Sequence, residues 1–143
     1  MSAANNSEIQ RVALILLDQF SLIAYTSTIE PIRLANRVLG QDFYSWKTYS
    51  LDGAGVQASN GCTVSVDGSI ADLDDADITL ICSGVDVERV PLPRELGTRL
   101  RKLNSRGRTY GAVCTGAYVL ARFNLLDGRR CTIHWENLRS FRE

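Results

Sequence analysis

Cys114 sits in the centre of Gly111-Ala112-Val113-Cys114-Thr115-Gly116-Ala117, and His134, the one histidine of the chain, follows twenty residues later within Cys131-Thr132-Ile133-His134-Trp135. A thiol and an imidazole are the parts of a nucleophile and general base, or of a polar cradle for a bound molecule. The small residues around Cys114 suit a sharp turn between a strand and a helix, because such a turn crowds the backbone and leaves no room for bulk. A helix N-terminus favours the thiolate through its dipole and free N–H groups. Those groups, with the amide of Gly84 across a crevice, can form an oxyanion hole or a carboxylate nest.

A base of this kind is usually oriented by a third group, for which Asp18, Glu30 and Glu136 are the nearby acids. Each also has an ordinary reading: a turn residue after a strand, a solvated helix residue, and a carboxylate in a first helical turn. The basic residues Arg94, Arg99, Arg101, Lys102, Arg106 and Arg108 read as a solvated face rather than a nucleic-acid surface, since no aromatic residues are interleaved among them.

The elements that must position these groups follow from patterning. Arg11 to Leu17 and Asp77 to Cys82 are short continuous apolar runs, as strands buried on both faces require. Thr109 to Val113 reads as the third core strand. Phe43 to Leu51 alternates like a strand, and Cys62 to Val66 and Cys131 to Ile133 are short strand candidates. Helical spacing begins at Ser21 and stops at Gly40, with Pro31 inside expected to kink or restart the helix. Pro91 to Arg106 and Cys114 to Asn124 read as further helices, and Trp135 to Glu143 as the start of a charged amphipathic one. This order implies an α/β sandwich with a largely parallel sheet. In such a sheet Ser83-Gly84, Cys114 and His134 would each lie just past a strand end and converge on one crevice.

With 143 residues, 45% of them apolar, the chain suits one domain. Its zero formal net charge favours neither nucleic acid nor an anionic membrane. Cys62, Cys82, Cys114 and Cys131 are too widely spaced for a structural zinc site. Three of them lie in apolar runs, where a free thiol acts as a small hydrophobe. Met1 to Gln10 reads as a disordered leader. No apolar run approaches bilayer length, so the expectation is a cytoplasmic chain without membrane contact, metal or cofactor.

The turn G-A-V-C-T-G-A-Y-V-L-A, the stretch L-L-D-G-R-R-C-T-I-H-W-E and the early E-P-I-R-L-A-N-R-V-L-G helix together resemble the ThiJ/PfpI domain of the class I glutamine amidotransferase-like superfamily. More narrowly, they resemble the form found at the N-terminus of AraC-type transcriptional regulators. The resemblance runs from about Arg11 to the end of the chain. It implies a flavodoxin-like three-layer α/β/α sandwich that senses a small-molecule effector, self-associates as a homodimer and acts through a C-terminal double helix-turn-helix domain. That DNA-binding domain is not in this sequence. The family domain also runs some tens of residues further, so residues 11–143 are expected to be an incomplete sensing domain.

Two departures bear on activity. Protease-like members place a histidine directly after the cysteine, where this chain has Thr115, and many members carry an acid where it has Ala24. The expectation is therefore a binding site formed by Gly84, Cys114, Thr115, Gly116 and His134, with no confident catalytic residue. The alternative is a cysteine-dependent hydrolase or glyoxalase-like enzyme with Cys114 as nucleophile and His134 as base.

Overall fold

A computed structural model describes residues 8–73 and 75–139. Five strands form one parallel sheet in the order β5-β2-β1-β6-β7, built from β1 (Gln10–Leu16), β2 (Tyr44–Ser50), β5 (Gly68–Ser69), β6 (Ile78–Cys82) and β7 (Thr109–Val113). β1 and β6 lie at its centre, which is why both read as unbroken apolar runs. The remaining strands, β3 (Val56–Gln57) and β4 (Thr63–Val64), form a separate antiparallel ribbon. Of the expected strand Cys62 to Val66, Thr63 and Val64 form the ladder, opposite Gln57 and Val56.

Alternation along β1 sends side chains into two layers. Ala13, Ile15 and Leu17 join Ile81 beneath Leu96, Leu100 and Leu103 of α2 (Arg94–Ser105) and Val119 and Leu120 of α3 (Gly116–Arg122). On the opposite face, Leu16, Phe20 and Cys82 pack against Leu22, Ala24 and Tyr25 of α1 (Leu22–Leu39). The result is the expected flavodoxin-like sandwich, in which each fully buried Leu or Ile contributes roughly 1.5–3 kcal/mol.

α1 is framed by its caps. The Ser21 hydroxyl accepts from the Ala24 N–H, and Gly40, in the left-handed region, donates to the Asn36 carbonyl. The helix runs unbroken through Pro31, so the expected restart does not occur; Pro31 deprives it of one internal donor. No residue of α1 is fully buried, and Ile23 and Val38 are 76% and 85% exposed. Asn36 fastens the helix end to β2: its Nδ2 donates to the Tyr44 carbonyl at 2.7 Å, and its Oδ1 accepts from the Phe43 and Tyr44 N–H groups.

At the amino ends of the central strands, Asp77 accepts from the Arg11 N–H at 2.9 Å and from Arg108 at 2.8 Å. Arg108 and Arg106 also reach Asp75, and Arg99 pairs with Glu95. Much of the arginine-rich segment is thus committed to local ion pairs.

Three sequence readings change. Cys131 to Ile133 is not a strand: Cys131 and Thr132 are exposed, only Ile133 reaches the core, and no described strand pairs with the segment. Cys114 to Asn124 is helical only over Gly116–Arg122, since Cys114 and Asn124 both have positive φ. Trp135–Asn137 forms a 3-10 turn, with Trp135 75% exposed, and the α-helix expected from Trp135 begins only at Leu138 and Arg139. Residues 140–143 of that expected helix, and residues 1–7 of the expected leader, lie outside the described residues. Gln10, read as the leader's last residue, opens β1 opposite Tyr44.

Candidate functional site

β7 carries the chain to Cys114, whose φ is 55°. A residue with a Cβ held in this region costs of order 1–3 kcal/mol, so its surroundings must enforce the turn. Gly116 begins α3 hard against the sheet, where a Cβ would collide with the Ile81 carbonyl. Thr115 is fully buried and donates its hydroxyl to the Gly84 carbonyl. Val113, on the other side of Cys114, packs into the same apolar cluster as Ala24.

Gly84 lies in the loop after β6, and a Cβ there would collide with the carbonyl of Gln19, in the loop after β1. The loops following β1, β6 and β7 therefore meet beyond the carboxyl ends of their strands. They meet where the strand order reverses direction from β1, the crevice in which open α/β sheets place ligands. The Gly84 carbonyl accepts from both the Thr115 hydroxyl and the Val87 N–H.

Cys82 lies close to the turn, with its thiol donating to the Ser21 carbonyl at 3.8 Å. Burial pushes this thiol up to about 12, helped by nearby Cys114. Cys82 is accordingly a neutral packing residue at physiological pH, whereas Cys114 is partly accessible.

His134 reaches the region by a different route from the one expected. It precedes the 3-10 turn instead of following a core strand, and its carbonyl accepts the Asn137 N–H at 3.0 Å. Asn137 Nδ2 in turn donates to the Val85 carbonyl at 2.9 Å. The turn bearing His134 is thus fastened to the loop that also receives Thr115. His134 Nδ1 is buried without a hydrogen bond among the described residues, and the Glu136 carboxylate stands 3.7 Å away.

The three candidate acids now separate. Glu136 is the one beside His134. Glu30 forms an exposed pair with Arg33 at 2.6 Å, which holds its carboxyl below the usual range. Asp18 lines an open cavity of about 260 Å³ with Ser50, Asp52 and Val56. Ala24, the position at which the sequence resemblance implies an acid in many members, packs against an apolar cluster.

The structure therefore ties Gly84 and Thr115 together, sets Cys114 and Gly116 on the same turn, and anchors His134 to the neighbouring carbonyl. Asn137, which makes that anchor, went unnoticed in the sequence. A tie spanning 52 residues leaves no local pattern. Among the described residues, no group of three or more His, Cys, Asp or Glu side chains is arranged to hold a metal, and no helix is long and apolar enough to cross a membrane.

A parallel α/β sandwich that presents a cysteine at a strained strand-to-helix turn defines the class of this protein. The chain belongs to the DJ-1/PfpI family, whose model matches residues 10–141. It is 41% identical over 138 residues to the HTH-type transcriptional regulator GbdR of Pseudomonas aeruginosa, covering 96% of this chain and 37% of that protein. The HTH-type transcriptional regulator CdhR of the same species is 43% identical over 129 residues, covering 90% of this chain and 38% of that one. The chain thus spans well under half the length of these curated relatives. A crystal structure of an AraC family transcriptional regulator from Pseudomonas putida superposes with a TM-score of 0.81 at 32% identity, over 92% of this chain and 70% of that chain.

Proposed function

We propose that residues 11–143 are the effector-sensing part of an AraC-family transcriptional regulator. A small metabolite binds beside Gly84, Cys114, Thr115, Gly116 and His134. The regulator works in the cytoplasm as a homodimer and contacts DNA through a C-terminal helix-turn-helix domain outside this sequence. The observation that carries the reading is the fate of the two partner positions. Thr115 spends its hydroxyl on Gly84, and Ala24 lies in an apolar cluster, so neither supplies an acid or base to Cys114. The regulators among its relatives support the same reading. Regulation then requires that the effector bind two arrangements of the dimer with different affinity.

Melting curves against a panel of small amines and carboxylates test this, because a ligand that binds only the folded state raises the midpoint. The expected result is a stabilising compound whose effect disappears once Cys114 is alkylated. A panel without such a compound would count against the sensing role.

The Glu136 carboxylate 3.7 Å from His134 Nδ1 and the strained φ of Cys114 favour a second reading, a cysteine-dependent hydrolase or glyoxalase-like enzyme. Turnover of an activated ester or of methylglyoxal that is lost in Cys114→Ser would establish it.

A further inference from the structure

The loop after β6 gathers more unsatisfied polarity than its packing explains. Ser83 is wholly buried, yet its hydroxyl has no hydrogen-bond partner among the described residues. Asn137 is 6% exposed, and its Oδ1 accepts nothing among the described residues while Nδ2 is held by the Val85 carbonyl. His134 Nδ1 is a third buried atom in the same region without a hydrogen bond among the described residues. Native proteins pair nine in ten or more of such groups, and each one left over costs about 1–3 kcal/mol.

The orientation of Asn137 is fixed by chemistry. A backbone carbonyl can only accept, so the amide atom facing Val85 is the nitrogen, and the other branch of the amide is an acceptor. Its place is fixed by the consecutive carbonyls of Gly84 and Val85. Thr115, the residue after Cys114, is fastened to the first, and Asn137 to the second.

We propose that Asn137 is a specificity-determining residue of the effector site. Its Oδ1 accepts an N–H from the molecule held beside Cys114, so the site takes a carboxamide or a similar N–H donor in preference to a carboxylate. Ser83, whose hydroxyl can donate and accept, completes the polar lining. A carboxylate at the same point sets acceptor against acceptor, the kind of mismatch by which buried polar sites reject analogues. This inference rests on the reading of Cys114 as the effector pocket, and it adds the chemistry that the pocket selects.

Two alkylating reagents that differ in the relevant group serve as probes: iodoacetamide carries the amide and iodoacetate the carboxylate. Peptide-level mass spectrometry follows Cys114, with exposed Cys62 as the internal reference. The amide-to-carboxylate rate ratio at Cys114 is expected to exceed that at Cys62 by about 10-fold, equivalent to 1.4 kcal/mol. Asn137→Ala, which changes no charge, brings the two ratios to within about 2-fold, since only the acceptor is lost. Equal ratios in the unmodified chain, or an excess that persists in a folded Asn137→Ala protein, would overturn the assignment.

A competition experiment on the unmodified chain stands even if that variant does not fold. Propionamide should slow alkylation of Cys114 more than propionate does. Equal slowing by both leaves Cys114 in the effector pocket and removes Asn137 as its reader. Slowing by neither overturns the inference, while the panel of melting curves decides separately whether the site senses another molecule.

Discussion

Thr115 donates its hydroxyl to the carbonyl of Gly84, joining the turn after β7 to the loop after β6. That carbonyl also accepts the Val87 N–H at 3.2 Å, so it anchors the loop and the turn together. Thr115→Val keeps the shape of the side chain and deletes the donor. The expected loss is about 1 kcal/mol, read as a lower urea midpoint at unchanged slope, and Thr115→Ser should restore most of it. A valine variant as stable as the parent would show that the contact contributes nothing to holding the turn.

Asn36 satisfies three backbone groups at the start of β2, two N–H donors and one carbonyl. Asn36→Ala removes all three bonds at a partly buried position, so we expect a loss of about 2–3 kcal/mol. Asn36→Asp keeps the acceptor and loses the donor to Tyr44, and should fall between the two. Chemical denaturation of the three proteins measures this order.

Asp77 is held below the usual carboxylate range, first by the Arg11 N–H and then by the Arg11 guanidinium. A depressed folded value means that its stabilising contribution is present above the unfolded carboxylate range, near pH 4, and is lost as pH falls through the folded value. Asp77→Asn should therefore flatten the acid limb of the stability profile below about pH 4. Denaturation midpoints taken from neutral to acidic pH would show no such flattening if the carboxylate were unimportant.

Cys82 behaves in the opposite sense, because burial raises its folded value to about 12. Its contribution is complete below the unfolded thiol value of about 8.5 and declines as pH rises toward the folded one. Cys82→Ala should lessen the alkaline loss of stability relative to the parent. In labelling experiments Cys62 and Cys131, both exposed, should react well before buried Cys82. Early modification of Cys82 in the folded chain would contradict its buried, neutral state.

Much of this architecture was legible in the residues. β1 and β6 announced themselves as apolar runs because neighbours cover both of their faces, and α1 was bounded by Ser21 and Gly40. The turn at Cys114 was legible because only small residues fit where Gly116 approaches Ile81. The strands β3 and β5 contain two residues each, too few to show a period. Cys131 to Ile133 carried the composition of a strand without a described neighbour to pair with, so its sequence misled. The roles of Thr115 and Asn137 depend on carbonyls 31 and 52 residues away, and no local pattern encodes such ties.

α1 packs on the sheet without a single fully buried side chain. A helix so lightly held belongs to the low end of the local-opening free-energy scale, and its amides should exchange with solvent before those of α2, which has four buried residues. Ala24, in the apolar cluster beside Val113, is part of that helix. The layer flanking the cysteine turn is thus the one that local unfolding is expected to reach first.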